Sequence, residues 1–301
     1  MTDLCRDFGL LLLAGLLMLI CLTRPTIPLA RNTFHYLFIL DITQSMNTRD
    51  YHATGLPADR LSFAKQALRR AIRDLPCGSK AGVGLFSTRN ILLLIEPLEI
   101  CSHFAAIDDT ISRIDWRMAW SADSYIERGL YGGILATQSV APRAQLVFMS
   151  DGEQNIRELH RPPLAKHRNT IKGFIFGVGG LIPSPIPKLD KDNSVVGFWA
   201  KAEVDEFSIL TESLEPSAQK SSEEQPYLSS LHEPDLQVLA VMSGLDYHRL
   251  ESPEQFSKIL RTENFAQTRI VETDIRWVLA LASGVLILLV YLLPIGFLCK
   301  R

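Results

Sequence analysis

Apolar runs and segments of helical periodicity alternate along the middle of the chain, from about residue 32 to residue 270. Short apolar runs bounded by turn residues predict strands, and apolar residues at the spacing of one helix face predict helices. The predicted strands are Phe34–Leu40, Ala81–Ser87, Ile91–Ile95, Gln145–Met149, Ile171–Val178 and a closing candidate, Tyr247–Leu250. The predicted helices are Arg60–Asp74, Phe104–Ile114, Ser124–Val140 and His232–Ser243.

This alternation predicts an α/β fold built on a doubly wound, mostly parallel sheet. One antiparallel hairpin is expected, because the short link Thr88-Arg89-Asn90 joins two of the strand runs. In sheets of this kind, ligands bind at the carboxyl ends of the strands. Residues that directly follow a strand are therefore the first candidates for function.

Two uncharged apolar segments flank this region. Phe8–Leu22 is short for a membrane span, so an uncleaved anchor and a cleaved signal peptide are both open. The poor match of Pro28-Leu29-Ala30 to a cleavage site favours the anchor. Trp277–Leu298 is long enough to span a bilayer and is followed by Lys300 and Arg301, so it predicts a transmembrane helix.

These segments predict the organisation of the chain. Basic residues near both ends favour cytoplasmic termini, which would place the main domain on the other side of the membrane. The net charge of −2 and the lack of a basic tract argue against nucleic acid as a partner. The predicted parts are a membrane anchor and linker at 1–30, a main domain at 32–255 with an insertion at 181–231, a linker at 256–276, a transmembrane helix at 277–298 and a cytoplasmic tail at 299–301.

Oxygen-bearing side chains follow two of the predicted strands. Asp41, Thr43 and Ser45 come directly after the first strand, and Asp151 ends the run QLVFMS. Carboxylate and hydroxyl oxygens are the ligands that hard divalent cations prefer. Strand ends also carry such residues as turns and caps, so the first triplet alone is a weak signal. The second aspartate in the same context strengthens the prediction of a metal site.

These motifs resemble the von Willebrand factor A-type domain with its metal-ion-dependent adhesion site. That family has Asp-x-Ser-x-Ser after its first strand, a Thr in a middle loop and an Asp before Gly after its fourth strand. Thr43 keeps the hydroxyl of the first Ser, Asp151-Gly152 matches the last element, and Ser124 stands at the Thr position of the middle one. Asp123 replaces the usual Gly. The resemblance implies metal ligands at Asp41, Thr43, Ser45, Ser124 and Asp151.

A narrower resemblance concerns bacterial membrane-bound members of the family. The stretches GVGGLIPSPIP and DNSVVGFW are similar to the aerotolerance-operon (Bat-like) group, and DITQSMNTRDY with RIDWRMAW looks closest to the accessory proteins of methanol oxidation. The resemblance implies a bacterial inner-membrane protein with a periplasmic domain. Its expected role is to assist assembly or maturation of a periplasmic enzyme, with calcium–quinone methanol dehydrogenase as the candidate. Other A-domain membrane proteins and a ring-type ATPase chaperone are further expected partners.

The chemistry of such a site is binding. A metal ion short of ligands accepts an Asp or Glu from a partner protein, and Mg²⁺ fits best, with Mn²⁺ and Ca²⁺ as alternatives. The expected rim of this partner-binding site comprises Trp116, Trp120, Asp123 and Glu153. A core position is the alternative for the two tryptophans. No catalytic residue is predicted and an enzyme is not expected. A metal-independent scaffold and a metal-assisted hydrolase, with Glu153 as its base, are the alternatives.

Two of the five cysteines fall in the main domain, and the other three lie in or beside the apolar segments. Cys77 precedes the first strand of the predicted hairpin and Cys101 follows the second. In an antiparallel hairpin these positions lie opposite each other, so the register predicts a disulfide, which the periplasm would keep oxidised. Two buried free thiols are the alternative.

Overall fold

The computed structural model describes residues 2–52, 54–119, 124–154, 161–201, 203 and 226–292, with the side chains of residues 2–6 excluded. The chain forms two compact units. One contains residues 32–267, and the other combines residues 1–31 with residues 268–301.

The larger unit is built on a six-stranded sheet with the order β11-β6-β5-β2-β3-β4. All neighbouring pairs are parallel except β3 and β4, which form the predicted antiparallel hairpin. The mostly parallel α/β fold is therefore confirmed. The strands are β1 Thr26–Thr33, β2 His35–Asp41, β3 Lys80–Ser87, β4 Asn90–Glu99, β5 Gln145–Ser150, β6 Gly173–Gly177, β7 Ser184–Pro185, β8 Pro187–Leu189, β9 Val195–Phe198, β10 Leu228–Ser229, β11 Asp246–Arg249 and β12 Gln267–Asp274.

Helices cover both faces of this sheet. The side chains of β2 alternate between two buried apolar clusters: Tyr36 and Phe38 pack with α2, α3 and α6, whereas Leu37 and Ile39 pack with α4 and α5. A strand buried on both faces reads as a continuous apolar run, which is what the sequence shows before Asp41. The α-helices with both ends in the described residues are α1 Thr2–Leu22, α2 Arg60–Asp74, α3 Ile100–Arg113, α4 Ile126–Val140, α5 Glu233–Ser243, α6 Pro253–Leu260 and α7 Arg276–Leu292.

The main unit extends beyond the predicted boundary at residue 255. Phe256 and Leu260 of α6 are fully buried in the α2-side cluster, and Phe265 packs on Phe174 with ring centroids 4.3 Å apart. The predicted linker at 256–276 therefore begins with core structure. Its remainder is β12, which pairs with β1 in a two-stranded sheet.

The predicted insertion contains short strands where the structure describes it. Val195–Phe198 pairs antiparallel with Pro187–Leu189, so these two strands form a small hairpin. Ser184–Pro185, inside the Pro-rich stretch, pairs with β10. Residues 204–225 lie outside the described residues, and they include the polar stretch 212–225, for which the sequence predicts a loop.

Residues 8–22 of the first flanking apolar segment and residues 277–292 of the second are helical, within α1 and α7. In the smaller unit, Ser283 Oγ of α7 donates to the carbonyl of Ala14 in α1 at 3.0 Å. Among the helices in the described part of the chain, none combines the length and apolar character that crossing a bilayer requires. Residues 293–298 of the second predicted span are not among those described. The structure thus lends no support to the two predicted membrane spans.

Cys77 and Cys101 form a disulfide, with their Cα atoms 5.3 Å apart. Pairing of Lys80 with Glu99 at the open end of the hairpin brings the flanking residues together. Closing a loop across 24 residues stabilises a fold by about 3 kcal/mol in the chain-entropy view. The bond joins the loop before β3 to the start of α3.

Candidate functional site

Asp41 ends the central strand β2 and is fully buried. Its Oδ1 accepts hydrogen bonds from the backbone N–H of Thr43 at 2.8 Å and from Thr43 Oγ1 at 2.7 Å. Thr43 Oγ1 lies 3.3 Å from Ser45 Oγ. The three residues of the first motif therefore form one contiguous group of oxygens at the carboxyl end of β2.

The end of β5 completes this group. Ser150 Oγ donates to Asp41 Oδ2 at 2.6 Å and accepts from the N–H of Gly152 at 2.9 Å. Gly152 has a φ of +76°, and a Cβ there would lie 2.8 Å from Leu236, so glycine is required after Asp151. Sequence reasoning missed Ser150 because its position at the end of a buried strand carries no signal of its own.

Asp151 is held from two sides. Its Oδ1 accepts from the N–H of Glu153 at 3.1 Å, and its Oδ2 accepts from Nη1 of Arg60 at 2.7 Å. Both partners of this ion pair are fully buried. Arg60 was predicted only as the first residue of a helix, and its role as the partner of Asp151 could not be read from local sequence.

The negative charge of Asp151 disfavours the charged form of the two neighbouring carboxyl groups. Burial, followed by the negative charge of Asp151, raises the pKa of Asp41 to about 7, although hydrogen bonds from Ser150 and Thr43 oppose that rise. Burial and the charge of Asp151 likewise raise the pKa of Glu153. A cation between Asp41 and Asp151 would relieve this repulsion.

Ser124 lies at the same edge of the sheet. It forms an isolated parallel bridge with Thr88, just beyond β3, and the next residue, Tyr125, donates its N–H to the Thr88 carbonyl at 2.9 Å. Within the described residues, the buried Ser124 Oγ has no hydrogen-bond partner. A buried hydroxyl without a partner is costly, and coordination of a metal or of its bound water would satisfy it.

Two of the four predicted rim residues, Trp116 and Glu153, lie among the described residues. Trp116 is half-buried, packs against the core, and donates from Nε1 to Asn193 Oδ1 at 2.8 Å. Trp120 and Asp123 lie outside the described residues. Glu153 is only 4% exposed and accepts a short hydrogen bond from Ser229 Oγ. The prediction of Glu153 as an exposed rim residue was wrong, because the chain near Ser229 covers it.

The donor set has two carboxylates and three hydroxyls. No group of three or more His, Cys, Asp or Glu side chains suited to a metal ion occurs in the part of the chain that the structure describes. The chemistry of the predicted site is thus that of a mixed carboxylate–hydroxyl site, which suits Mg²⁺ through a small number of direct contacts and water.

The sequence from residue 36 to residue 154 matches the family model of the von Willebrand factor type A domain. No curated protein matches the chain. Among solved structures, the chain is similar to an aerotolerance-related membrane protein from Bacteroides fragilis, with a TM-score of 0.53, 18% identity, and coverage of 75% of this chain and 96% of that one. BatB from Bacteroides thetaiotaomicron gives the same score and identity, with coverage of 75% and 95%. At this identity the two structures show the fold alone. The family match spans all five predicted metal ligands, and the chain therefore contains a von Willebrand factor type A domain.

Proposed function

We propose that this chain is a protein-binding module whose contact with its partner depends on a divalent metal ion. The observation that carries the proposal is the Ser124 hydroxyl, which is buried and has no hydrogen-bond partner among the described residues, at the edge where Asp41 and Asp151 are also buried. A site with repelling carboxylates and an unsatisfied hydroxyl has the donor chemistry of a hard cation site.

The chain's own residues would hold such an ion in a fixed frame. Asp41 is oriented by Thr43 and Ser150, so its oxygens keep one arrangement without relying on flexible side chains. Thr43, Ser45 and Ser124 would add neutral oxygens, and Asp151 the second charge. When bound, Mg²⁺ would supply an open coordination position for an acidic residue of the partner, with Mn²⁺ and Ca²⁺ as alternatives.

The partner is proposed by analogy. The similar structures are described as an aerotolerance-related membrane protein and as BatB. We extend the membrane setting to this chain, together with a role in assembling or maturing a periplasmic enzyme. Its sequence resemblance to methanol-oxidation accessory proteins makes methanol dehydrogenase the first enzyme to test. Other A-domain membrane proteins and a ring-type ATPase chaperone are the further proposed partners.

Replacing Ser124 with Ala should weaken Mg²⁺ binding by about tenfold, because the variant loses one oxygen at the site and no hydrogen bond within the described residues. Titration calorimetry of the full 301-residue chain measures this change. Ser243→Ala is the matched control, since Ser243 is equally buried and its hydroxyl donates to carbonyls of its own helix, away from the site. Equal Mg²⁺ affinity of Ser124→Ala and wild type would remove Ser124 from the ligand set.

We also propose that α1 and the segment beginning with α7 anchor the chain in the inner membrane, with residues 24–276 on the periplasmic side. Both helices carry large exposed apolar side chains, among them Leu22 and Trp277, exposed by 78% and 68%. A reporter enzyme that is active only in the periplasm should be active when fused after Gln225. Activity of a fusion after Arg301, with none after Gln225, would reverse the orientation.

A further inference from the structure

The guanidinium of Arg60 is a fully buried cation beside the proposed metal site. Its Nη1 donates to Asp151 Oδ2 at 2.7 Å, to Ser229 Oγ at 2.8 Å and to the Ser45 carbonyl at 3.3 Å. Its Nε and Nη2 donate to Asp50 Oδ2 at 2.9 Å and 2.7 Å. Arg60 thus contacts two members of the proposed ligand set, Asp151 through its side chain and Ser45 through its backbone carbonyl.

The surrounding chain is shaped around this side chain. A Cβ on Gly179 would lie 2.6 Å from Arg60 Nε, so only glycine at this position lets the backbone lie so close to the guanidinium. Gly180 donates its N–H to the same Asp50 oxygen at 2.7 Å. Burial opposes the charge of Arg60, but Asp151 and Asp50 raise its pKa, so Arg60 stays protonated. One fixed positive charge is therefore shared between two buried carboxylates.

We propose that Arg60 is a built-in cation that competes with the metal ion for Asp151, and that Asp50 sets the strength of this competition by sharing the guanidinium. The inference rests on the proposed function for the metal ion itself. Its physical basis is that a positive charge paired with a ligand carboxylate both engages one oxygen of that ligand and repels a nearby divalent cation. Arg60 would then hold the site together without metal and limit the affinity when metal binds.

Two substitutions change the balance of charge in opposite directions. Arg60→Gln removes the competing cation and leaves Asp50 and Asp151 both negative, so Mg²⁺ should bind at least about tenfold more tightly. Asp50→Asn leaves the full charge of Arg60 facing Asp151, so Mg²⁺ should bind about tenfold more weakly. A merely structural role for Arg60 would lower the affinity in both variants.

The chain offers a matched control pair whose arginine lies on the same helix as Arg60. Arg69 of α2 is bonded to Asp108 of α3 at 2.7 Å, and both side chains are partly exposed. Arg69→Gln and Asp108→Asn make the same charge changes away from the site and should leave Mg²⁺ affinity unchanged. For all four variants, calorimetry on the full chain measures the Mg²⁺ affinity, and thermal unfolding without metal measures the stability.

The outcomes separate this inference from the proposed function. Tighter binding by Arg60→Gln together with weaker binding by Asp50→Asn supports the inference. If wild type binds no detectable Mg²⁺ but Arg60→Gln binds it, the competition by Arg60 is supported and the proposed function of the wild-type chain is overturned. Wild-type binding with equal or weaker binding by Arg60→Gln overturns the inference alone. Absence of binding by both proteins overturns both. If Arg60→Gln shows no cooperative unfolding, it is not folded, and the Mg²⁺ affinity of Asp50→Asn tests the inference instead. An affinity of Asp50→Asn equal to or higher than that of the wild type overturns the inference.

Discussion

Replacing Asp41 with Asn should reduce Mg²⁺ affinity by about a hundredfold or more while leaving the metal-free fold intact. The loss follows from removing one of the two carboxylate charges of the site, and a hard cation depends on such charges. The fold should survive because Asn keeps the shape of Asp and an oxygen that can accept from Thr43. At pH values above the Asp41 pKa of about 7, the metal-free variant should be as stable as the wild type or more stable. In that range the wild type buries a charge that Asp151 repels, and the variant does not.

Calorimetry with Mg²⁺ and thermal unfolding in a chelator test the two halves of this expectation. Asp108→Asn is a suitable control because it removes a carboxylate that pairs with Arg69 on the surface of the same unit. Equal Mg²⁺ affinity in wild type and Asp41→Asn would contradict the metal site. A metal-independent scaffold would then be the better account of the domain.

The sequence predicted best what depends on local pattern. Helix α2 has the predicted bounds because Asp59 caps it, accepting from the Ser62 N–H at 2.8 Å, and because its apolar stripe matches one buried face. A capping residue and an apolar stripe lie within, or directly beside, the helix that they stabilise, so the local sequence is enough to predict them.

The sequence could not predict contacts between distant segments. Arg60 finds Asp151 and Ser229 across 91 and 169 residues, and nothing near Arg60 marks it as different from the other basic residues of its helix. Glu153 was misplaced for the same reason, because Ser229, 76 residues later, covers it. Burial of a charged side chain is decided by the tertiary fold, so the contacts that Arg60 and Glu153 make around the proposed ligands could be found only from the structure.

The domain boundary was also missed, and it leads to a direct test. Phe256→Ala should lower the free energy of unfolding of the main unit by about 3–5 kcal/mol. Phe256 is fully buried, and its ring packs edge-on against Phe176 of β6 with centroids 4.6 Å apart. Removing it leaves a cavity between α6 and the sheet that neighbouring side chains fill only in part.

Denaturant unfolding of the full chain, followed by a probe of the main unit, measures this loss. Val238→Ala provides the contrast, because Val238 is 57% exposed on α5 and its truncation should change stability by less than about 0.5 kcal/mol. A loss equally small for Phe256→Ala would mean that residues after 255 contribute little to the core and would restore the shorter boundary. A large loss would instead require any soluble fragment of this domain to include α6 and Phe265, since both pack on the sheet that carries the site.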